Sequence, residues 1–233
     1  MNDYFKIFNI TKEYLSKLIA IAMSKGGDYA DLFFEYSISN ELSLLDHQVN
    51  AIGKDADYGV GIRVLKGEQT GYAYSESTAV KDMERAALAA AQIADTPSTS
   101  FLAPAFKEIK FVNRYPIISP WEDYALSDKI EFLNNLDTEL FALDRRMVKV
   151  TERLTDSDTK VLFFNSSGDF FCDERPLASV GVSCIVSEND RIETISFSRS
   201  FRAGSEMLTD CLKKEVIDHI AERIPIAFEA CQP

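Results

Sequence analysis

Apolar residues recur at helical spacing from Thr11 to Lys25, where Leu15, Leu18, Ile19 and Ala22 fall on one stripe. Thr11 is placed to cap this helix and Gly26-Gly27 to stop it. From Ala30 to Ile38 the period changes to two: Ala30, Leu32, Phe34, Tyr36 and Ile38 share one face, and Asp31, Phe33, Glu35 and Ser37 the other. That alternation predicts a half-buried strand. Leu42 to Val49 and Tyr58 to Leu65 read as further strands, the second with Val60, Ile62 and Val64 on one side and Gly59, Gly61 and Arg63 on the other. Lys66-Gly67-Glu68 turns this strand back into Gln69 to Tyr74, so residues 58–74 form a hairpin in which Gly67 supplies positive φ. Ser77 then opens a helix through about Ala94, with a stripe of Val80, Met83, Ala87 and Ala90 small enough to lie close on a sheet.

Periodicity lapses between Asp95 and Pro120, which holds Pro97, Pro104, Pro116 and Pro120 and reads as a domain-crossing linker. Beyond it, Ser127 opens a helix carrying Ile130, Leu133, Leu140 and Phe141. Strand patterns follow at 147–154, 160–165, 169–173, 177–186 and 191–201, joined by turn signals at Asn165-Ser166-Ser167-Gly168 and Glu188-Asn189-Asp190. A helix from Glu206 to Arg223 is expected to break or restart at Pro225. The expected fold is α+β: two helix-plus-antiparallel-sheet subdomains, residues 1–96 and 126–233, joined by the Pro-rich linker 97–125.

Composition narrows the function more than the fold. The 37 acidic side chains outnumber the 25 basic ones, and a net charge of −12 repels phosphate backbones, so nucleic acid is not expected as a partner. No apolar run reaches the ~18 residues of a spanning helix, and Met1-Asn2-Asp3-Tyr4-Phe5 lacks the layout of a signal peptide, which together point to no membrane and a cytoplasmic address. Cys172, Cys184, Cys211 and Cys231 form no close pair and read as reduced, mostly buried thiols.

Candidate chemistry is sparse. A hydrolytic metal centre needs about three converging protein ligands, whereas the histidines are His47 and His219, far apart in sequence. His47 reads as a solvated strand residue and His219 as a half-buried, hydrogen-bonded one. No Gly-x-Ser-x-Gly elbow is present, and Gly59-Val60-Gly61 lies inside a strand pattern instead of opening a helix as a phosphate loop would. Glycines in a strand mark close packing or ligand approach. Asp55, Asp57, Asp156 and Asp158 read as loop carboxylates, so no catalytic or metal residue is assigned.

One ordered set of segments is more specific: Ala30-Asp31-Leu32-Phe33-Phe34-Glu35, then Leu45-Asp46, then residues 58–64 (Tyr-Gly-Val-Gly-Ile-Arg-Val), then residues 67–74 (Gly-Glu-Gln-Thr-Gly-Tyr-Ala-Tyr). It resembles the N-terminal domain of the TldD/PmbA peptidases, also called modulators of DNA gyrase, and the Gly-Glu-x-Thr-Gly form looks more like the TldD branch. Asp173-Glu174-Arg175-Pro176 and the strands after it are similar, more loosely, to the family's central domain. The family's His-Glu-x-x-x-His zinc motif and distant Cys have no counterpart here, so no metal or catalytic residue carries over, and the chain is expected to end before the segment that would supply them. The resemblance implies a substrate-channel and assembly role in proteolysis of unfolded or flexible peptides. It also implies zinc only in the full-length family, and a dimer with a C-terminal catalytic domain or a PmbA-like subunit. Gly59, Gly61, Arg63, Thr70, Gly71 and Tyr72 are the expected peptide-binding residues, because a glycine-faced strand admits an extended backbone. A standalone peptide-binding or protein-interaction module is the alternative.

Overall fold

The computed structural model describes residues 2–94, 101–102, 104–110 and 112–229; Pro97 and Cys231 lie outside them. Short helix α1 (Asn2–Ile7), without a counterpart in the sequence reading, precedes α2 (Lys12–Ala22). Helix α2 starts where Thr11 accepts a hydrogen bond from the Tyr14 amide at 3.2 Å, and it buries Leu15, Leu18, Ile19 and Ala22, the expected stripe. The chain continues through β1 (Tyr29–Leu45), β2 (Gln48–Lys66), β3 (Gln69–Ser75), α3 (Val80–Ala91), the two-residue β4 (Lys107–Glu108) and α4 (Leu126–Leu143). It ends with β5 (Met147–Asn165), β6 (Asp169–Glu188), β7 (Arg191–Phe201) and α5 (Asp210–Glu229). Strand order is β3-β2-β1-β5-β6-β4, with β7 also paired to β6. The β2–β3 and β6–β7 pairs are antiparallel, and β4 runs parallel to β6. The fold is α+β.

Several strand boundaries differ from expectation, in β5 because charged residues occupy inward positions. In β5 the alternation runs through Val150, Glu152, Leu154 and Asp156, all buried, so one strand replaces the two expected at 147–154 and 160–165. Asp156 and Asp158 are therefore strand residues, as are Asp55 and Asp57 of β2, and none is a loop carboxylate. Strand β6 likewise runs unbroken past Pro176. Strand β1 absorbs the start of the expected 42–49 strand and turns at Asp46-His47, whose φ values of 48° and 69° mark a tight reversal. His47 thus sits in a turn and not in a strand.

Helix α3 begins three residues later than expected, because the Ser77 hydroxyl caps the approach by accepting from the Ala79 amide at 3.1 Å. Pro225 is contained within α5 and does not end it. Its missing donor is tolerated, while Ile220 and Ile224 in the turn before it stay buried. The hairpin is as expected: Lys66 pairs with Gln69 and Val60 with Ser75 around a two-residue connection, with Gly67 at φ 56°.

Compact packing divides the chain into two units that alternate along the sequence, because β1, β2, β5 and β6 are long enough to contribute to both. One unit comprises Met1–Ile38, Ala56–Asn113 and Thr159–Arg175. Its core packs Leu15, Leu18 and Ile19 of α2 and Met83, Ala87 and Ala90 of α3 with Leu32, Phe34, Val60, Ile62 and Val64. Within the expected linker, β4 pairs Lys107 with Asp169, and Phe106 stacks on Phe164 at 4.2 Å. The other unit comprises Ser39–Asp55, Arg114–Asp158 and Pro176–Pro233, with a core of Leu133, Leu136, Leu140, Val150, Leu154, Val180, Val182, Val216 and Ile220.

Candidate functional site

The β2–β3 hairpin has two unlike faces. Antiparallel register places Val60, Ile62, Val64, Gly71 and Ala73 together on the core side. Gly59, Gly61, Arg63, Thr70, Tyr72 and Tyr74 share the opposite side, where Arg63 lies across from Tyr72 and Gly61 across from Tyr74. Tyr72 and Tyr74 are 64% and 69% exposed. Arg63 is oriented by Asp31 of β1, to which its Nε donates at 3.0 Å, and the nearly buried carboxylate raises the guanidinium pKa further.

Five of the six expected residues therefore share one face, and Gly71 does not. A Cβ at Gly71 would stand 2.2 Å from the Ala90 carbonyl oxygen, so this glycine lets α3 lie directly on β3. The other two glycines are also occupied from within. A Cβ at Gly61 would meet the Tyr72 hydroxyl at 2.7 Å, and one at Gly59 the Ser75 carbonyl oxygen at 2.3 Å. Close packing accounts for all three, which leaves Arg63, Thr70, Tyr72 and Tyr74 as the side chains available to a ligand. Tyr74 escaped the sequence reading although it continues the Thr70-Tyr72 alternation.

Beside this hairpin a groove of about 660 Å³ is lined by Ala73 to Ser77 and by Asp82, Arg85, Ala86 and Ala89 of α3. Strand β3 is outermost in the sheet, and among the described residues no strand pairs with its outer side. A two-residue connection makes Lys66 and Gln69 the closing hydrogen-bonded pair, so pairing toward β2 alternates through Gly71, Ala73 and Ser75. Thr70, Tyr72 and Tyr74 consequently turn their N–H and C=O groups away from β2.

The second unit holds polar groups that sequence spacing did not disclose. Lys129 of α4 donates to Asp156 at 2.5 Å, Asn40 donates to the other carboxylate oxygen at 2.8 Å, and Lys129 stands 4.9 Å from the centre of the Trp121 ring. On the surface of the same unit, the exposed His47 meets the buried Asp137 carboxylate through Nδ1, and its ring lies on Phe141 at 4.4 Å. Glu152 is fully buried, and among the described residues neither of its carboxylate oxygens has a hydrogen-bond partner. Burial, with the charge of Asp137 added, pushes its pKa up to about 9. His219 is half-buried against the edge of Phe197 at 5.3 Å. Among the described residues no three His, Cys, Asp or Glu side chains converge as metal ligands, so a zinc ion does not fit this donor set. No helix among them is long and apolar enough to cross a membrane. Cys184 is buried, Cys172 half-buried and Cys211 exposed.

The family model for PmbA/TldA metallopeptidase domain 1 matches residues 30–94, and that for the central domain of the same family matches residues 119–225. A metalloprotease TldD homolog of Haemophilus influenzae is 30% identical over 223 residues, covering 95% of this chain and 45% of that protein. A TldD homolog of Buchnera aphidicola is 32% identical over 171 residues, covering 71% of this chain and 34% of its own length. The chain thus spans less than half the length of these relatives. Among solved structures, a Thermotoga maritima protein described as a modulator of DNA gyrase superposes with a TM-score of 0.71 at 18% identity, over 95% of this chain and 50% of that one. TldE from Thermococcus kodakarensis gives 0.69 at 15% identity, over 93% and 48%. These likenesses establish the same fold.

Proposed function

Since the chain belongs to the PmbA/TldD metallopeptidase family, matching its first and central domains, we propose that it supplies the peptide-contacting, non-catalytic portion of such a peptidase. The zinc donors then come from a C-terminal catalytic domain, and a PmbA-like subunit is the partner in a dimeric assembly. The observation that carries this reading is the exposed hairpin side bearing Arg63, Thr70, Tyr72 and Tyr74. Exposed tyrosines grip an extended peptide through ring faces and hydroxyls with little selectivity for sequence, which suits flexible substrates. Arg63, held by Asp31, offers a fixed cation beside them. The chain itself supplies binding and orientation, and the bond-breaking groups lie outside it.

The test is complementation. A zinc-bearing C-terminal half of a TldD relative is mixed with this chain, and cleavage of an unstructured fluorogenic peptide is followed. Cleavage is expected to need both parts, and Tyr72→Ala with Tyr74→Ala is expected to raise KM with little change in kcat. A C-terminal half that cleaves equally well without this chain would defeat the reading.

A further inference from the structure

We infer that the groove between β3 and α3 is a strand-acceptor site, in which an extended peptide pairs with the outer edge of β3. This deepens the peptide-contacting role proposed above and rests on it for the occupant.

Two independent features specify a strand. The outward N–H and C=O groups of Thr70, Tyr72 and Tyr74 repeat every second residue, which is the spacing an added strand satisfies and no compact ligand does. In addition, the edge has none of the usual protection. Natural edge strands carry lysine, proline or inward charges that repel a stray strand, whereas β3 reads Gln-Thr-Gly-Tyr-Ala-Tyr-Ser, with neither charge nor proline.

The groove also sorts the peptide's side chains by alternation. Those on the helix side meet Ala86 and Ala89, whose small side chains leave room for apolar groups, while those on the other side join Tyr72 and Tyr74. Asp82, hydrogen-bonded by Arg85 at 3.1 Å, and Glu76 give the rim little net charge. A second copy of the chain is a poorer occupant than a free peptide. Its own β3 would arrive with α3 packed against it, and two such helices would compete for the one groove.

Amide hydrogen exchange on the intact chain tests this, with short peptides of alternating valine and threonine as the probe. In the free protein the Gly71, Ala73 and Ser75 amides are expected to be protected and those of Thr70, Tyr72 and Tyr74 to exchange fast; addition of the probe should slow the latter three. N-methylating alternate probe amides should weaken binding by roughly tenfold or more, since backbone pairing is removed and side chains are kept. Tyr72→Pro, which removes an outward donor together with the ring over Gly61, should abolish the slowing, and Ala89→Trp, which fills the groove from an exposed helix position, should abolish it while thermal unfolding stays unchanged. Binding that survives N-methylation, protection confined to Arg63 and its neighbours on β2, or no binding at all overturns the inference. So does a concentration-dependent dimer that Tyr72→Pro dissolves. These results are read without any peptidase, so the complementation experiment can fail while the strand site stands, and the reverse.

Discussion

Lys129 and Asp156 form a salt bridge at 2.5 Å with 6% and 3% of their residue surfaces exposed, which places a charge pair between α4 and β5 within a hydrophobic core. Removing one member strands the other charge without water. Lys129→Met is therefore expected to cost about 3–5 kcal/mol. Lys129→Met combined with Asp156→Leu should recover most of that loss, short of the share Asn40 loses with its acceptor. Urea unfolding of the two single variants and the double variant measures the coupling, and additive losses would show that the two side chains act independently.

Glu152 makes stability fall as pH rises. Its pKa is about 9 in the folded chain against 4.5 for an exposed glutamate, so between these values the folded state holds a proton that the unfolded state has released. Each pH unit in that window costs up to about 1.4 kcal/mol, the limit for one full proton of difference. Glu152→Gln, which keeps the shape and cannot ionise, should flatten the decline in urea midpoint between pH 5 and about 9. Parallel pH profiles for the two proteins would show that Glu152 gains a partner on ionising.

Gly71 and Gly181 are expected to respond oppositely to a methyl group. Gly71→Ala forces a Cβ onto the Ala90 carbonyl oxygen and should destabilise by about 1–3 kcal/mol, through displacement of α3 from β3. Gly181 in β6 has nothing within 4 Å of the added carbon, so Gly181→Ala should be neutral or stabilise by a few tenths of a kcal/mol through lost unfolded-state freedom, roughly. Thermal unfolding of both variants, each read against the wild type, is sufficient.

Thiol reactivity should sort by burial. The Cys184 thiol is pushed up to about 12 and that of Cys172 to about 11 by desolvation, while Cys211 is exposed at the start of α5. Brief iodoacetamide treatment at neutral pH should label Cys211 first and leave Cys184 unmodified until the chain unfolds, as peptide mass spectrometry would show. Equal labelling of Cys184 in the folded chain would mean that its core opens readily.

Local signals carried the elements whose periodicity and punctuation agree. The α2 stripe, the Thr11 cap, the 58–74 hairpin, β7 and the turns near residues 165–168 and 188–190 were all legible, because each depends on neighbours a few positions away. The same local signals misled wherever a charge took an inward position. Asp156 and Asp158 made β5 look like two strands and a loop, and Lys129 and Asp137 were invisible on α4 because their partners lie on other elements. At the hairpin, the sequence set Gly59, Gly61 and Arg63 on one face, and the structure adds Thr70 and Tyr72 to it. The sequence could not show that Gly71 looks the other way at α3, or that Tyr72 fills the space over Gly61.

What the sequence determined by itself was the inventory and the periods: the α+β class, the alternating hairpin, the family pattern and the shortage of histidine. Those follow from side-chain chemistry and from backbone periods of 3.6 and 2, which need no knowledge of distant partners. Tertiary structure alone decided which strand stays unpaired at the edge, which glycines accommodate a neighbouring backbone or ring, and which carboxylate is buried without a partner. Each of these depends on residues far apart in sequence being brought to one place, and the energy of a buried charge or an open edge is set by what stands beside it.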